Sequence, residues 1–147
     1  MTINAPLGSR VRIAFASGII SVFAGMVAFS ATDFARNGIG WSRVEFVIES
    51  ALFGAAIYSV IPILALALLV IAGRSLSTLF AAASCITWCL ILAFAFAFAY
   101  RPWNVEWTHL LSIVLRGLKW TLPAALAGAF AFSVSNRMLM TRKEQGC

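Results

Sequence analysis

Four stretches of the chain carry no charged residue, and each is about as long as a membrane is thick. They are residues 13–32, 50–73, 75–100 and 120–136. A helix rises 1.5 Å per residue, so about 20 apolar residues cross a hydrocarbon core of about 30 Å. The first three stretches reach that length and the fourth falls slightly short of it. We therefore expect an all-α integral membrane protein, a four-helix transmembrane bundle.

The composition leaves no room for a soluble domain. Hydrophobic residues make up 62% of the 147 residues and charged residues 11%, whereas soluble domains have about 45–50% and about 25%. Four spans at about residues 12–32, 47–73, 75–100 and 119–137 use up most of the chain. We therefore expect one transmembrane domain, residues 1–147.

A polar arc precedes the fourth span. His109, Ser112, Arg116 and Lys119 fall on one side of a helix, with mainly leucines opposite. This pattern predicts a short amphipathic interfacial segment over residues 106–119, which either lies flat on the membrane or extends the fourth span. The two basic residues are interpreted as interfacial anchors; the alternative is a binding site for an anionic substrate or head group.

Aromatic and basic residues cluster where the predicted spans meet water, and such residues favour the membrane interface. The predicted anchors are Trp41, Tyr100, Trp103, Trp107, Arg116, Lys119 and Trp120. In the first connection, Ser42 and Glu45 match a capping box, which predicts that the second helix begins at about Ser42. Glu45 and Glu49 then lie in its first two turns, where capping explains them better than proton handling does.

Small residues recur every four positions on the first and third predicted helices. Such strips allow helices to approach closely in a bilayer, where no hydrophobic effect drives their association. The predicted packing residues are Ser17, Ser21, Gly25, Ala81, Cys85, Cys89, Ala93 and Ala97. Cys85 and Cys89 lie one turn apart and are interpreted as small buried fillers; two thiolates for a soft metal are the alternative.

Few residues indicate chemistry. The first three uncharged stretches contain no acid, base or histidine, which argues against a proton-coupled carrier. No phosphate-binding loop, zinc-ligand spacing or nucleophile elbow occurs. We therefore expect no enzyme activity, no catalytic residues and neither a metal nor another cofactor. Tyr58 and Pro62, one turn apart near the middle of the second span, are the candidate substrate path.

The basic residues set the predicted orientation. Arg10 and Arg12 precede the first span and Asp33 follows it, which favours both termini in the cytoplasm. The first apolar run exceeds the 7–15 residues of a signal peptide, so we expect it to be an uncleaved helix. In length and topology the chain resembles several families of small four-span bacterial membrane proteins, including small subunits of multi-component transporters. We expect it in the bacterial inner (plasma) membrane.

Together these features predict a non-catalytic small integral membrane subunit, or an accessory or assembly protein of a membrane complex. Its expected partners are membrane lipid and either other transmembrane subunits or further copies of itself, with no nucleic acid. The alternative function is a small-solute or anion transporter or channel that works as an oligomer. It would use Tyr58 and Pro62 at midspan, with Arg116 and Lys119 as a basic vestibule.

Overall fold

The computed structural model describes residues 5–38, 44, 48, 56–99 and 107–144. These residues form four helices, α1 (Leu7–Asn37), α2 (Ala56–Ile71), α3 (Thr78–Ala99) and α4 (Trp107–Glu144), so the predicted all-α fold is confirmed. Three stretches are long and apolar enough to cross a membrane: Leu7–Asn37, Thr78–Ala95 and Thr108–Thr141. The apolar stretch Val60–Ile71 of α2 is shorter. Three helices therefore have the length and composition that a membrane crossing requires, whereas the predicted four-span bundle is not confirmed because α2 is short.

The first and last helices form the main contact of the fold. Ser21 of α1 contacts Gly128 of α4, and Phe29 of α1 contacts Trp120, so the two helices run antiparallel. Helix α4 also packs on α3, and α2 contacts the other three helices, whereas the described parts of α1 and α3 do not touch. The start of α1, the α2–α3 turn and the end of α4 thus share one end of the molecule, called here the proximal end. The opposite end is the distal end.

The turn between α2 and α3 is built by a glycine at the end of α2. Gly73 has a φ of 78°, in the left-handed region that favours glycine. Its amide donates to Val70 O over 3.0 Å, and the Arg74 amide donates to Leu69 O over 3.0 Å. This is the Schellman pattern, which satisfies carbonyls that the helix end leaves open.

The core lies where α2, α3 and α4 meet, with α1 closing one side. Leu66, Val70 and Phe132 are fully buried there. Ala81, Cys85 and Cys89 of α3 belong to the same cluster. Large side chains of α2 and α4 therefore fill the space that the small residues of α3 leave.

The predicted interfacial segment is not a separate element. Residues from Trp107 onward belong to a single helix of 38 residues, α4, so the alternative in which this segment extends the fourth span is the one observed. Leu110 and Val114 on its apolar side are buried and pack with Ala93 and Ala97 of α3. The part of this apolar face that Leu110 and Val114 form is therefore covered by α3, whereas Leu111 is exposed.

Candidate functional site

The most specific polar contact in the membrane-spanning part joins α1 to α4. Ser17, Ser21 and Gly25 form one row on α1, and all three are buried. The Ser21 hydroxyl donates a hydrogen bond to Gly128 O. A Cβ atom added to Gly128 would lie 3.3 Å from both Ser21 O and Ser21 Oγ, so glycine is what permits this close approach.

Other buried polar groups lie toward the proximal half of the molecule. The hydroxyls of Thr78 and Ser133 are 3.2 Å apart and connect α3 to α4. The Ser17 hydroxyl and the Asn136 Oδ1 atom are buried and have no hydrogen-bond partner among the described residues. A buried polar atom without a partner is costly in an apolar medium, so these two atoms reduce the stability of the packed interior.

The cysteine pair lies inside the packed core. Cys85 and Cys89 form no disulfide and both are buried. The buried Thr121 hydroxyl of α4 donates to Gly117 O of its own helix over 3.0 Å. No group of three or more potential metal ligands occurs among the described residues. Both cysteines pack in the core cluster with residues of α2 and α4.

The distal end contains an aromatic and charged cluster. Trp120 of α4 lies against Phe29, with the ring centroids 6.5 Å apart. The Arg36 guanidinium carbon lies 5.0 Å from the centroid of the Trp120 ring, within the range of a cation–π interaction. Arg36 thus interacts with the indole ring through its charge, while α1 and α4 hold the two side chains together.

Asp33 is a buried charged residue whose burial the sequence analysis did not predict. The spacing placed it only as an acidic marker beyond the first span, yet it is buried and accepts a 2.8 Å hydrogen bond from Asn37 Nδ2. The signal available in the sequence was the four-residue repeat that begins at Ser17, Ser21 and Gly25, because position 33 continues it. Which neighbours cover that face is not encoded in the spacing.

The predicted anchors and path residues have different outcomes. Arg116, Lys119 and His109 are exposed, and Trp120 takes part in the distal cluster. Pro62 lies inside α2 and is fully buried. The side chains of Tyr58 and Trp107 are not described, although both belong to helices. The remaining predictions lie outside the described residues: the capping box at Ser42 and Glu45, Glu49, and the anchors Trp41, Tyr100 and Trp103.

These features define the class of the protein. Its described residues form helices, three of which contain stretches long and apolar enough to cross a membrane, and its interior is filled by small and apolar side chains. It is a helical membrane protein. The chain matches no protein-family model, and no curated protein or solved structure matches it either.

Proposed function

We propose that the protein is a non-catalytic small subunit, or an accessory or assembly protein, of a membrane complex. The proposal places it in the bacterial inner membrane as a four-span bundle with both termini cytoplasmic. The second of these four spans is the predicted one at about residues 47–73, to which α2 belongs. The proximal end, with its basic residues, then faces the cytoplasm.

The observation that carries the proposal is the use of the small-residue strips within the chain. The strips of α1 and α3 are buried under the chain's own helices, so the described interior is a packed core. Large side chains such as Phe132, Leu66 and Val70 fill this core. A core of this kind suits a structural role better than passage of a solute.

The same observation changes which surface would meet a partner. The strips are occupied, so a partner helix would contact the outer side of the molecule. On α1 this side is a ridge of large apolar residues spaced by four, and all of them are exposed: Leu7, Val11, Phe15, Ile19, Phe23 and Val27. We call it the α1 ridge. Lipid covers such a surface when no partner does.

The experiment that tests the proposal combines native mass spectrometry with photo-crosslinking. The full chain is extracted gently from its own membranes, and its mass indicates whether it is bound to other polypeptides. A photoreactive amino acid at Phe15 or Phe23 of the α1 ridge is then compared with one at Leu79, an exposed leucine of α3. We expect one defined heterologous adduct from the α1 ridge and only lipid adducts from Leu79. Recovery of a homo-oligomer alone would contradict the proposal.

The alternative function is a transporter or channel for a small solute or an anion, completed by oligomerisation. It is favoured by Arg116 and Lys119, which are both exposed near the distal end and have no hydrogen bond or ion pair with a described residue. Two exposed cations at the mouth of a pore would attract anions. Their replacement by glutamine should reduce anion flux under this alternative and barely matter for an accessory subunit.

A further inference from the structure

Positive charge gathers at the proximal end of the molecule. The basic residues that the helix arrangement brings there come from the start of α1, the α2–α3 turn and the end of α4, and the acidic residue of these segments is Glu144. The basic residues are Arg10, Arg12, Arg74, Arg137, Arg142 and Lys143. In a membrane protein, a helix end of this kind lies at the depth of the lipid phosphates, which attract such charges.

A cleft opens at this end between the first turns of α1 and the last turns of α4. Its volume is about 500 Å³, within the range of small-molecule sites. The lining is mixed: a hydroxyl and a guanidinium on one part and apolar side chains on the rest. The residues that line it are Pro6, Gly8, Ser9, Arg12, Ile13 and Leu139.

Arg12 is the cation that this cleft can offer to a ligand. Its neighbour Arg10 is already engaged, because its Nη1 atom donates to Ile71 O over 2.8 Å. Arg12 is exposed and forms no hydrogen bond or ion pair with any described residue. Gly8, one helical turn before Arg12, has no side chain to cover the approach, and a Cβ atom added there would meet nothing within 4 Å.

We propose that this cleft binds the head group of an anionic glycerophospholipid. The guanidinium of Arg12 and the hydroxyl of Ser9 donate to the phosphate oxygens, a pairing that arginine makes well. Ile13 and Leu139 provide an apolar wall for the glycerol backbone and the first acyl carbons. This wall is the reason to assign a lipid as the ligand, since a free phosphate ion gains nothing from it. The proposal depends on the membrane class alone, and it holds whether or not the protein is an accessory subunit.

Native mass spectrometry of the delipidated full chain tests this site. The protein is transferred into micelles that contain either phosphatidylglycerol or phosphatidylcholine, and retained lipid is counted. We expect preferential retention of phosphatidylglycerol. Arg12→Gln should weaken that retention about fivefold, the effect of removing one basic contact at a membrane surface. Arg116→Gln, which removes an equal charge from an exposed site on α4, should leave it unchanged.

A second pair of variants tests the cleft without changing charge. Gly8→Leu adds a bulky side chain to the lining of the cleft and should also reduce phosphatidylglycerol retention, whereas Gly117→Leu adds the same side chain to α4 away from the cleft and should not. Equal losses in the two arginine variants, or equal retention of the two lipids, would overturn the site. Displacement of phosphatidylglycerol by soluble glycerol 3-phosphate at matched concentration would overturn the lipid assignment, because it would show that the anion alone is recognised.

Discussion

The contact between α1 and α4 makes a quantitative prediction about three glycines. A Cβ atom at Gly128 would lie 3.3 Å from the backbone oxygen of Ser21, one at Gly18 would lie 3.4 Å from Ile63 Cγ2, and one at Gly117 would meet nothing within 4 Å. Replacement of each glycine by leucine therefore adds the same side chain at three sites that differ in the space available: least at Gly128, slightly more at Gly18 and most at Gly117. Because all three residues lie within helices, each replacement gains about the same helix propensity.

The magnitudes follow from that shared gain and the unequal crowding. Leucine is favoured over glycine in a helix by about 0.8 kcal/mol, so Gly117→Leu should be neutral or slightly stabilising. At Gly128 the new side chain faces a backbone atom, and overpacking costs about 1–3 kcal/mol. The Ser21 hydrogen bond is lost as well, at about 0.6 kcal/mol. We expect the free energy of unfolding of Gly128→Leu to be about 2–4 kcal/mol lower than that of Gly117→Leu. The value for Gly18→Leu should lie between them, because the Ile63 methyl group that it would meet can shift.

The assay is reversible unfolding by SDS in mild-detergent micelles, followed by tryptophan fluorescence and helical circular dichroism. The free energy of unfolding is compared among the three leucine variants and the parent protein. If Gly117→Leu destabilises the fold as much as Gly128→Leu does, the close approach of α1 and α4 is not the reason for the loss. The antiparallel pairing on which this reasoning depends would then be refuted.

Three further predictions concern single side chains. Ser21→Ala should cost about 0.6 kcal/mol, and at most about 1.7 kcal/mol, in the same unfolding assay; no loss would mean that the hydroxyl contributes nothing at this contact. Arg10→Gln should cost about 1 kcal/mol because it removes a charged donor from the last carbonyl of α2, whereas Arg12→Gln should leave stability unchanged; equal effects would contradict the assignment. In a Cys147→Ser variant, Cys85 and Cys89 should react with a maleimide about a hundredfold or more slowly than they do in the unfolded chain, because the core must open first. Labelling at the rate of an exposed thiol would contradict their burial.

The periodicity of small residues indicated one side of α1 and one side of α3, because a four-residue repeat keeps to one side of a helix, and the residues of both rows are buried. It did not predict what covers that side. Ala93 and Ala97 continue the α3 strip, and Leu110 and Val114 fill it; the same two residues read alone suggested a helix on the membrane surface. An amphipathic pattern indicates that a face is covered and leaves open whether lipid or another helix covers it.

The candidate sites were less accessible to sequence reasoning than the fold was. Asp33 follows the first uncharged stretch, so its position in the sequence predicted a site beyond the first span. In the structure α1 continues to Asn37, and Asp33 is one of its buried residues. The cleft beside Arg12 was missed because it depends on the distance between the start of α1 and the end of α4. No local pattern in either segment encodes that distance.

The pairing of the first helix with the last also sets an order of events during synthesis. Ser21 and the carbonyl it binds are separated by 107 residues, and ribosomes add about 5–20 residues per second. For about 5–20 s, α1 therefore stands in the membrane while its main partner does not yet exist. Its serine row then faces lipid or whatever protein assists insertion. A chain cut short before α4 keeps that row without the helix that covers it in the complete fold.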